Sequence, residues 1–319
     1  MIPDISDLDD IEVAGPWRHR SVSANGAQFH VAEAGEPDAP VVLLLHGFPE
    51  FWWAWRHQIP ALAAAGWRAV AMDLRGYGGS DKTPEGYDPG TLAADITGVI
   101  RSLGSRDAVV VGHDWGGFGA WTAAALRPAH VRAIGVLSMP HPLVLRRKLL
   151  SLRWRSAGSA FLAAQIPMVP ERRLVAADGA HVDTIVRRGV IADGFPDPEA
   201  SARYRNAMDL WPAPHCSLEY QRWVFRSLFR ADGRRFSRRV DTRLELPVLQ
   251  IHASTDPVIP IELSAESRDY AVGQHRWVEL DDVGHFPHEE APKEVTDALI
   301  DWLDSLPSPA APAEPHRDR

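Results

Sequence analysis

The chain has little of what secreted and membrane proteins depend on. It contains one cysteine, Cys216, so it can form neither a disulfide framework nor a cysteine-based zinc site, as is typical of proteins in a reducing cytosol. No run approaches the roughly 18 apolar residues that a membrane span needs. The acidic N-terminus does not look like a secretory signal. We therefore expect a cytoplasmic protein with no integral membrane segment and no bound metal.

The net charge of −8 is unevenly distributed along the chain. Residues 141–240 contain 17 Arg and 1 Lys against 9 acidic residues, a balance of +9, which leaves −17 for the rest. A nucleic-acid-binding protein is not expected to have this pattern. The basic block is interpreted either as solvated helix faces beside an acidic neighbour or as a surface for anions or membranes.

Short β-branched runs alternate with Ala/Leu-rich helical stretches in two blocks, which is typical of parallel βαβ units. A closing amphipathic helix is predicted at 292–306. The predicted strands are 28–32, 41–45, 69–73, 108–111, 131–137, 248–252 and 277–279. These elements predict an α/β fold with a mostly parallel central sheet flanked by helices.

The two blocks are separated by an Arg-rich region that is helical in pattern and has no convincing strand. It is predicted to form a cap over the sheet, and the Pro-rich C-terminus is predicted to be disordered. The assignments are an N-terminal extension at 1–16, a core at 17–141 and 241–306, a helical cap at 142–240 and a disordered tail at 307–319.

The sequence GHDWG at 112–116 follows a predicted strand and precedes a predicted helix. This is the pattern of a nucleophile elbow, with Asp114 where serine is more usual. Small residues are needed beside the nucleophile because the backbone is tightly bent, and Gly112 and Gly116 meet that need. The turn points Asp114 at the helix N-terminus, where N–H groups favour a negative charge. Taken alone, the segment equally fits an N-cap aspartate in an ordinary βα loop.

A second motif, HGFP at 46–49, directly follows a predicted strand and favours the elbow interpretation. In a fold with this elbow, the loop supplies one backbone N–H of the oxyanion hole. We therefore predict that the N–H groups of Phe48 and Trp115 hold the charge that develops on an ester of Asp114. His46 is interpreted as a structural turn residue without a role in proton transfer.

An acid and a histidine follow later predicted strands. Asp256 comes after the strand at 248–252, and His285 comes after the last one. Nucleophile, acid and histidine is the chain order that this fold imposes on a triad. His288 is the nearest alternative histidine, but it lies at a Pro/Glu-rich helix start without a comparable partner acid. The order at successive strand ends predicts a triad of Asp114, Asp256 and His285.

Three segments and two single residues carry a family resemblance. They are HGFPEFWWAWR at 46–56, DLRGYGGSD at 73–81, GHDWGG at 112–117, Asp256 and His285. The chain resembles bacterial epoxide hydrolases of the α/β-hydrolase fold over roughly residues 17–306, densely in the core and sparsely in the cap. The resemblance implies a cis peptide before Pro49, no cofactor, and a small apolar epoxide and water as reactants. It leaves the oligomeric state open, with a homodimer among the alternatives.

A carboxylate nucleophile suits an sp³ carbon, because displacement gives a stable ester, whereas attack on an acyl group would give a labile anhydride. The resemblance implies hydrolysis of an epoxide to a vicinal diol in two steps. Asp114 opens the epoxide by backside attack. His285, oriented by Asp256, then activates a water that attacks the ester carboxyl carbon. One oxygen of the diol therefore comes from Asp114.

The family uses two cap tyrosines to protonate the departing epoxide oxygen, and the chain departs from this pattern. Where the first is expected, ahead of the turn QIP at 165–167, the chain has Ala160 and Phe161. For the second, LEYQR at 218–222 makes Tyr220 the candidate acid, although strict register places Gln221 there. Tyr220 is alternatively a packing residue. The donor would then be Gln221, the other cap tyrosine, Tyr204, or a water held by the cap.

The chain has twelve tryptophans, and Trp52, Trp53, Trp55 and Trp115 flank the motifs. Such residues suit the wall of an apolar substrate pocket. The residues predicted to line this pocket are Phe48, Pro49, Trp115 and Phe286.

Three alternative functions share these features. A haloalkane dehalogenase has the same nucleophile and the tryptophan after it, but commonly carries a side-chain N–H donor where Phe48 stands. A haloacid dehalogenase that acts on fluoroacetate would carry an arginine in place of Trp115. The third alternative is a ligand-binding protein that kept the fold and lost turnover, which the missing tyrosine motivates.

Overall fold

The computed structural model describes residues 10–149 and 161–307, and its centre is an eight-stranded sheet. The strands are β1 (Arg18–Ala24), β2 (Ala27–Ala34), β3 (Val41–Leu45), β4 (Arg68–Met72), β5 (Ala108–His113), β6 (Val131–Leu137), β7 (Val248–Ala253) and β8 (His275–Leu280). Their order is β1-β2-β4-β3-β5-β6-β7-β8. β2 is antiparallel to β1 and to β4, and the remaining neighbours are parallel. The mostly parallel sheet predicted from the sequence is confirmed.

The predicted strands correspond to β2–β8 because most are apolar runs buried on both faces of the sheet. All residues of β3 and β4 are buried. The sequence prediction omits β1, which lies at the sheet edge and is polar over its first four residues. Asn25 and Gly26 join β1 to β2 with φ values of 46° and 76°, the left-handed backbone that a two-residue hairpin turn needs.

Helices connect the parallel strands and cover the sheet. They are α1 (Gln58–Ala64), α2 (Pro89–Ser102), α3 (Trp115–Leu126), α4 (Pro142–Leu149), α5 (Val169–Gly189), α6 (Pro198–Asp209), α7 (Ala213–Ser227), α8 (Ala231–Val240), α9 (Ile261–Glu266), α10 (Pro287–Glu290) and α11 (Pro292–Asp304). The last of these lies within the closing helix that the sequence predicts.

The chain between β6 and β7 contributes α4–α8, and its described residues form no strand. Helix α8 rests on the core through Phe236, whose ring stacks on Phe118 of α3 with the centroids 6.1 Å apart. The same ring meets Trp223 of α7 edge-on at 5.3 Å. This arrangement fits a helical cap, although its boundaries at 142–240 stay a prediction.

Parts of several predictions fall outside the described residues. They are residues 1–9 of the N-terminal extension, residues 150–160 of the predicted cap, which include Ala160, and residues 308–319 of the tail. Within the described part of the extension, Ile11 is buried and its carbonyl accepts a hydrogen bond from the indole of Trp52 at 2.8 Å.

The tryptophans that follow the first motif pack in the core. Trp52 and Trp55 are fully buried, and Trp17 meets Trp52 and Trp53 edge-on at 5.3 and 5.9 Å. The expectation that all four motif tryptophans form a pocket wall is therefore wrong for Trp52 and Trp55. The Trp52 ring packs on His19 of the edge strand β1 at 5.0 Å, and the Trp55 ring packs on His288 at 4.6 Å. Trp115 is the one that directly adjoins Asp114.

Candidate active site

Asp114 occupies a sharply bent turn between β5 and α3. Its backbone has φ 46° and ψ −117°, a conformation that a non-glycine residue adopts only under strain. A Cβ at Gly112 would come within 2.2 Å of the Gly116 backbone, and one at Gly116 within 2.2 Å of the Leu45 carbonyl oxygen. Glycine is therefore required on both sides of Asp114, and the carboxylate is held above the carboxyl ends of the parallel strands.

The loop after β3 contacts the Asp114 carboxylate directly. The backbone N–H of Phe48 donates to Asp114 Oδ2 at 3.0 Å. Trp115 is the first residue of α3, so its N–H belongs to the turn in which N–H groups have no intrahelical acceptor. The Phe48–Pro49 peptide is cis. A Cβ at Gly47 would lie 2.6 Å from the Asp114 side chain, so this close approach also requires glycine.

His285 lies between two carboxylates. Its Nδ1 is 2.9 Å from Asp256 Oδ2, and its Nε2 is 3.9 Å from Asp114 Oδ1. Asp256 Oδ1 accepts the N–H groups of Val258 and Ile259, at 2.8 and 2.9 Å, which fixes this carboxylate in the loop after β7. The three residues predicted as a triad therefore lie together, with a gap between His285 and Asp114 that is longer than a hydrogen bond.

The charges around His285 determine its protonation. Burial acts to lower its pKa, but Asp256 and then Asp114 outweigh burial and raise the pKa to about 9. Burial likewise acts to raise the pKa of Asp256, and the neighbouring His285 holds it below its usual value. At neutral pH the resting site therefore holds a protonated His285 between Asp256 and Asp114.

A buried carboxylate, Glu50, contacts the loops that hold the site residues. Its Oε2 accepts the N–H of Gly47 at 2.9 Å and lies 2.8 Å from His113 Nδ1. Burial acts to raise the pKa of Glu50, but His113 and His288 hold it well below its usual range. The other nitrogen of His113 is 2.8 Å from the carbonyl oxygen of His285. Because a carboxylate and a carbonyl only accept, both ring nitrogens of His113 donate.

Glu50 and His113 therefore connect the loop after β3, the elbow that holds Asp114 and the loop that carries His285. Sequence reasoning missed both residues. The available signal was a charged side chain inside each of two motifs, HGFPE and GHDWG, at strand ends that the sheet topology brings together.

Aromatic side chains face Trp115. Its ring lies 5.7 Å from that of Phe118, 6.3 Å from that of Phe161 and 6.1 Å from that of Tyr220. A phenyl group, which cannot donate a proton, thus stands on the side where the family resemblance expects the first tyrosine. The hydroxyl of Tyr220 donates to the carbonyl oxygen of Arg75 at 2.7 Å.

The other cap tyrosine is engaged elsewhere. The Tyr204 hydroxyl donates to Glu289, and the same carboxylate oxygen is 2.7 Å from an Arg56 guanidinium nitrogen. Gln221 is half-buried. Three side chains were considered as the proton donor, namely Tyr220, Tyr204 and Gln221. Among them, Tyr220 has a ring contact with Trp115.

The four residues predicted to line the pocket differ in exposure. Phe48 is partly exposed, whereas Pro49, Trp115 and Phe286 are buried. The Phe286 ring packs against that of His285 at 5.3 Å. These contacts surround Asp114 and His285 with apolar groups, which strengthens electrostatic interactions between them.

One cluster of metal-ligand side chains occurs among the described residues. It consists of Glu50, His113 and His288, whose ligand atoms lie within 4.8 Å of one another. The hydrogen bonds of His113 occupy both of its nitrogens. Glu50 and His288 alone remain, and this is fewer than the three or four protein ligands of a zinc site. The donor set therefore does not fit a metal centre.

Comparison with known proteins places the chain in a family. Residues 40–292 match the family of the alpha/beta hydrolase fold. The chain is 35% identical to epoxide hydrolase A of Mycobacterium tuberculosis, over 92% of this chain and 99% of that protein. It is 34% identical to the AB hydrolase superfamily protein YfhM of Bacillus subtilis, over 88% and 96% of the two chains.

A solved structure supports the same assignment. The crystal structure of epoxide hydrolase A from Mycobacterium thermoresistibile superimposes with a TM-score of 0.73 at 31% identity, over 91% of this chain and 99% of that one. The chain belongs to the α/β-hydrolase family. Within that family, it is similar to proteins named epoxide hydrolases. No helix among the described residues is long and apolar enough to cross a membrane.

Proposed function

We propose that the protein is an epoxide hydrolase, which converts a small apolar epoxide and water to a vicinal diol through a covalent ester on Asp114. The observation that carries the proposal is a carboxylate at the nucleophile elbow, 3.0 Å from the Phe48 N–H and facing His285. The similarity to epoxide hydrolases over nearly the whole chain supports the same reaction.

In the first step the two oxygens of Asp114 have different roles. Oδ2 accepts the Phe48 N–H, so Oδ1 attacks the epoxide carbon and forms the ester bond while the carbon–oxygen bond of the ring breaks. The ring oxygen takes a proton from an acid on the cap. Tyr220 is the proposed donor, and it would exchange its bond to the Arg75 carbonyl for one to the substrate.

The second step uses the change in charge that the first one makes. Ester formation removes the negative charge of Asp114, which helps to keep the pKa of His285 high, so this pKa falls. The imidazolium gives up its proton, which passes through solvent to Tyr220 and replaces the one given to the ring oxygen, and the neutral imidazole becomes a base. It takes a proton from water, whose oxygen bonds to the Asp114 carboxyl carbon. Charge collects on Oδ2, held by the N–H groups of Phe48 and Trp115. The bond between the carboxyl carbon and Oδ1 then breaks, and the diol leaves with Oδ1 and the proton from His285. The proton left on the Asp114 carboxyl group passes to the imidazole, which restores the resting charges.

The dehalogenase alternatives are less well supported. Phe48 offers its backbone N–H to Asp114 and has no side-chain donor for a halide. An enzyme that acts on a haloacid is expected to carry an arginine directly after the nucleophile, and this chain has Trp115 there. A cytoplasmic location and a homodimer remain predictions.

A trapping experiment tests the mechanism. In His285→Gln the ester should form and not be hydrolysed, because alkylation needs no base and hydrolysis does. Incubation with styrene oxide should therefore increase the intact mass of the protein by one substrate. Asp114→Ala should stay folded by circular dichroism, remain unmodified and show no turnover. Turnover by folded Asp114→Ala, or an unmodified His285→Gln protein with an epoxide that the wild type consumes, would contradict the mechanism.

A further inference from the structure

Helix α8 has an outer face made of arginine. Gly233, Phe236 and Val240 are buried against the rest of the molecule. The exposed arginines on and beside this helix, here called the arginine face, are Arg230, Arg234, Arg235, Arg238, Arg239 and Arg243. The preceding arginine, Arg226, still pairs with Glu219 at 3.4 Å. No guanidinium of the arginine face has an ion-pair partner in the described part of the chain.

This concentration of positive charge is unfavourable in the isolated protein. Arg230, Arg234 and Arg238 are spaced four residues apart, and like charges at that spacing on a helix repel each other. The positive charge also acts on the neighbouring helix α4. The pKa of Arg146 there is lowered first by burial and then by the charge of Arg234. A multivalent anionic partner would remove this repulsion.

Exposed apolar side chains lie next to the arginine face. Phe229 is 70% exposed, and Leu162 and Ile166 are 55% and 49% exposed. Arg226 Nε donates to Gln165 Oε1 at 3.0 Å, so the segment that carries Leu162 and Ile166 lies against the last turn of α7, which Phe229 follows. Exposed large apolar groups rimmed by charge mark an interaction site more often than a solvated surface.

We propose that this surface, formed by the arginine face with Phe229, Leu162 and Ile166, docks the protein on an anionic lipid bilayer. Arginine beside exposed phenyl and aliphatic groups is the composition of interfacial helices, which insert apolar side chains between acidic headgroups. A nucleic-acid duplex would use the arginines and leave Phe229, Leu162 and Ile166 without apolar contacts. The charge of −17 outside residues 141–240 would also orient the molecule with this surface towards the membrane.

Vesicle binding tests the proposal independently of turnover. The wild-type protein should co-sediment with phosphatidylglycerol–phosphatidylcholine vesicles at 100 mM salt and much less with phosphatidylcholine alone. Replacing Arg234 and Arg238 by Gln should weaken partition about 25-fold, since each surface arginine contributes about a factor of 5. Phe229→Ser should weaken it about 10-fold. The turnover of a water-soluble epoxide should be unchanged, because none of these residues touches the active site.

A matched variant separates the surface from net charge. Arg187 and Arg188 are exposed arginines at the end of α5, so the pair Arg187→Gln and Arg188→Gln removes the same charge elsewhere on the cap. This variant should bind vesicles like the wild type. Equal loss in both double variants, or no binding to anionic vesicles, would overturn the proposal. So would tight binding to duplex DNA that Phe229→Ser leaves unchanged, because it would identify a polyanion site instead.

Discussion

The reactivity of the site depends on one imidazole between two carboxylates. Asp256 and Asp114 together raise the pKa of His285 to about 9 against the effect of its burial. The resting histidine is therefore protonated between its two neighbours, and in the proposed mechanism loss of the charge on Asp114 converts it to a base.

The charge dependence of His285 can be measured. Asp114→Asn mimics the neutral ester, so the pKa of His285 should fall below about 9 in this variant. Asp256→Asn should lower it further, because Asp256 is the nearer carboxylate and the stronger influence. Titration of the imidazole proton resonances by NMR gives both values. If the pKa of His285 were the same in Asp114→Asn as in the wild type, alkylation could not be the event that activates the base.

At the scale of single residues, the sequence predicted those site residues that lie at the functional positions of recognisable motifs. Asp114 and Phe48 were found because glycines and strand ends surround them, and their contact at 3.0 Å follows the pattern. Glu50 was not found, because its partner His113 is 63 residues away in the chain. A sequence motif does not show which buried side chains contact each other. Tyr220 was found as a candidate, but the acceptor of its hydroxyl, the Arg75 carbonyl, depends on how cap and core pack.

At the scale of elements, burial decided which strands could be predicted. Every residue of β3 and β5 is buried, and β3 throughout and β5 as far as Val111 are continuous apolar runs, so their sequences predict their positions closely. β1 was omitted because two of its seven residues are buried and the rest are exposed or partly exposed. The dipeptide Asn25-Gly26 was the usable signal, since it is the strongest local marker of a hairpin.

Helix α7 carries Tyr220, the proposed acid. In Tyr220→Phe the epoxide oxygen loses its proposed donor, so alkylation should slow about 10²–10⁴-fold, with hydrolysis of the ester little affected. Rapid-quench measurement of ester formation separates the two steps. Tyr204→Phe is the matched control, because it removes another buried cap hydroxyl that bonds to Glu289. Equal alkylation rates in Tyr220→Phe and the wild type would leave Tyr220 as an anchor of α7 to the Arg75 carbonyl.

At the scale of the whole molecule, one carboxylate holds the histidine loop to the insertion between β6 and β7. Glu290 Oε2 accepts the N–H groups of Gly284, Ile191 and Ala192 at 2.8–2.9 Å. The N–H of His285 donates to the Gly189 carbonyl at 2.6 Å. His285, the proposed base, is therefore positioned partly by this insertion, so changes in the packing of the insertion are expected to reach the hydrolysis step.

Buried neutral histidines should govern how the whole molecule responds to acid. Burial lowers the pKa of His288 to about 4, below the value near 6.5 expected in the unfolded chain. The unfolded state therefore binds the proton more readily between these values. The contribution of His288 to stability is complete above about pH 6.5 and is lost as the pH falls through about 4.

Replacing this histidine tests the linkage. His288→Gln removes the titrating group, so the free energy of unfolding should fall less between pH 7 and pH 4 than in the wild type, by up to about 3 kcal/mol. Urea unfolding at a series of pH values measures the difference. Glu289 is expected to change stability with pH in the opposite direction, because burial raises its pKa to about 7. It stabilises the folded state at low pH, and this contribution is lost as the pH rises through about 7. Parallel pH dependences in His288→Gln and the wild type would show that other groups set the acid response.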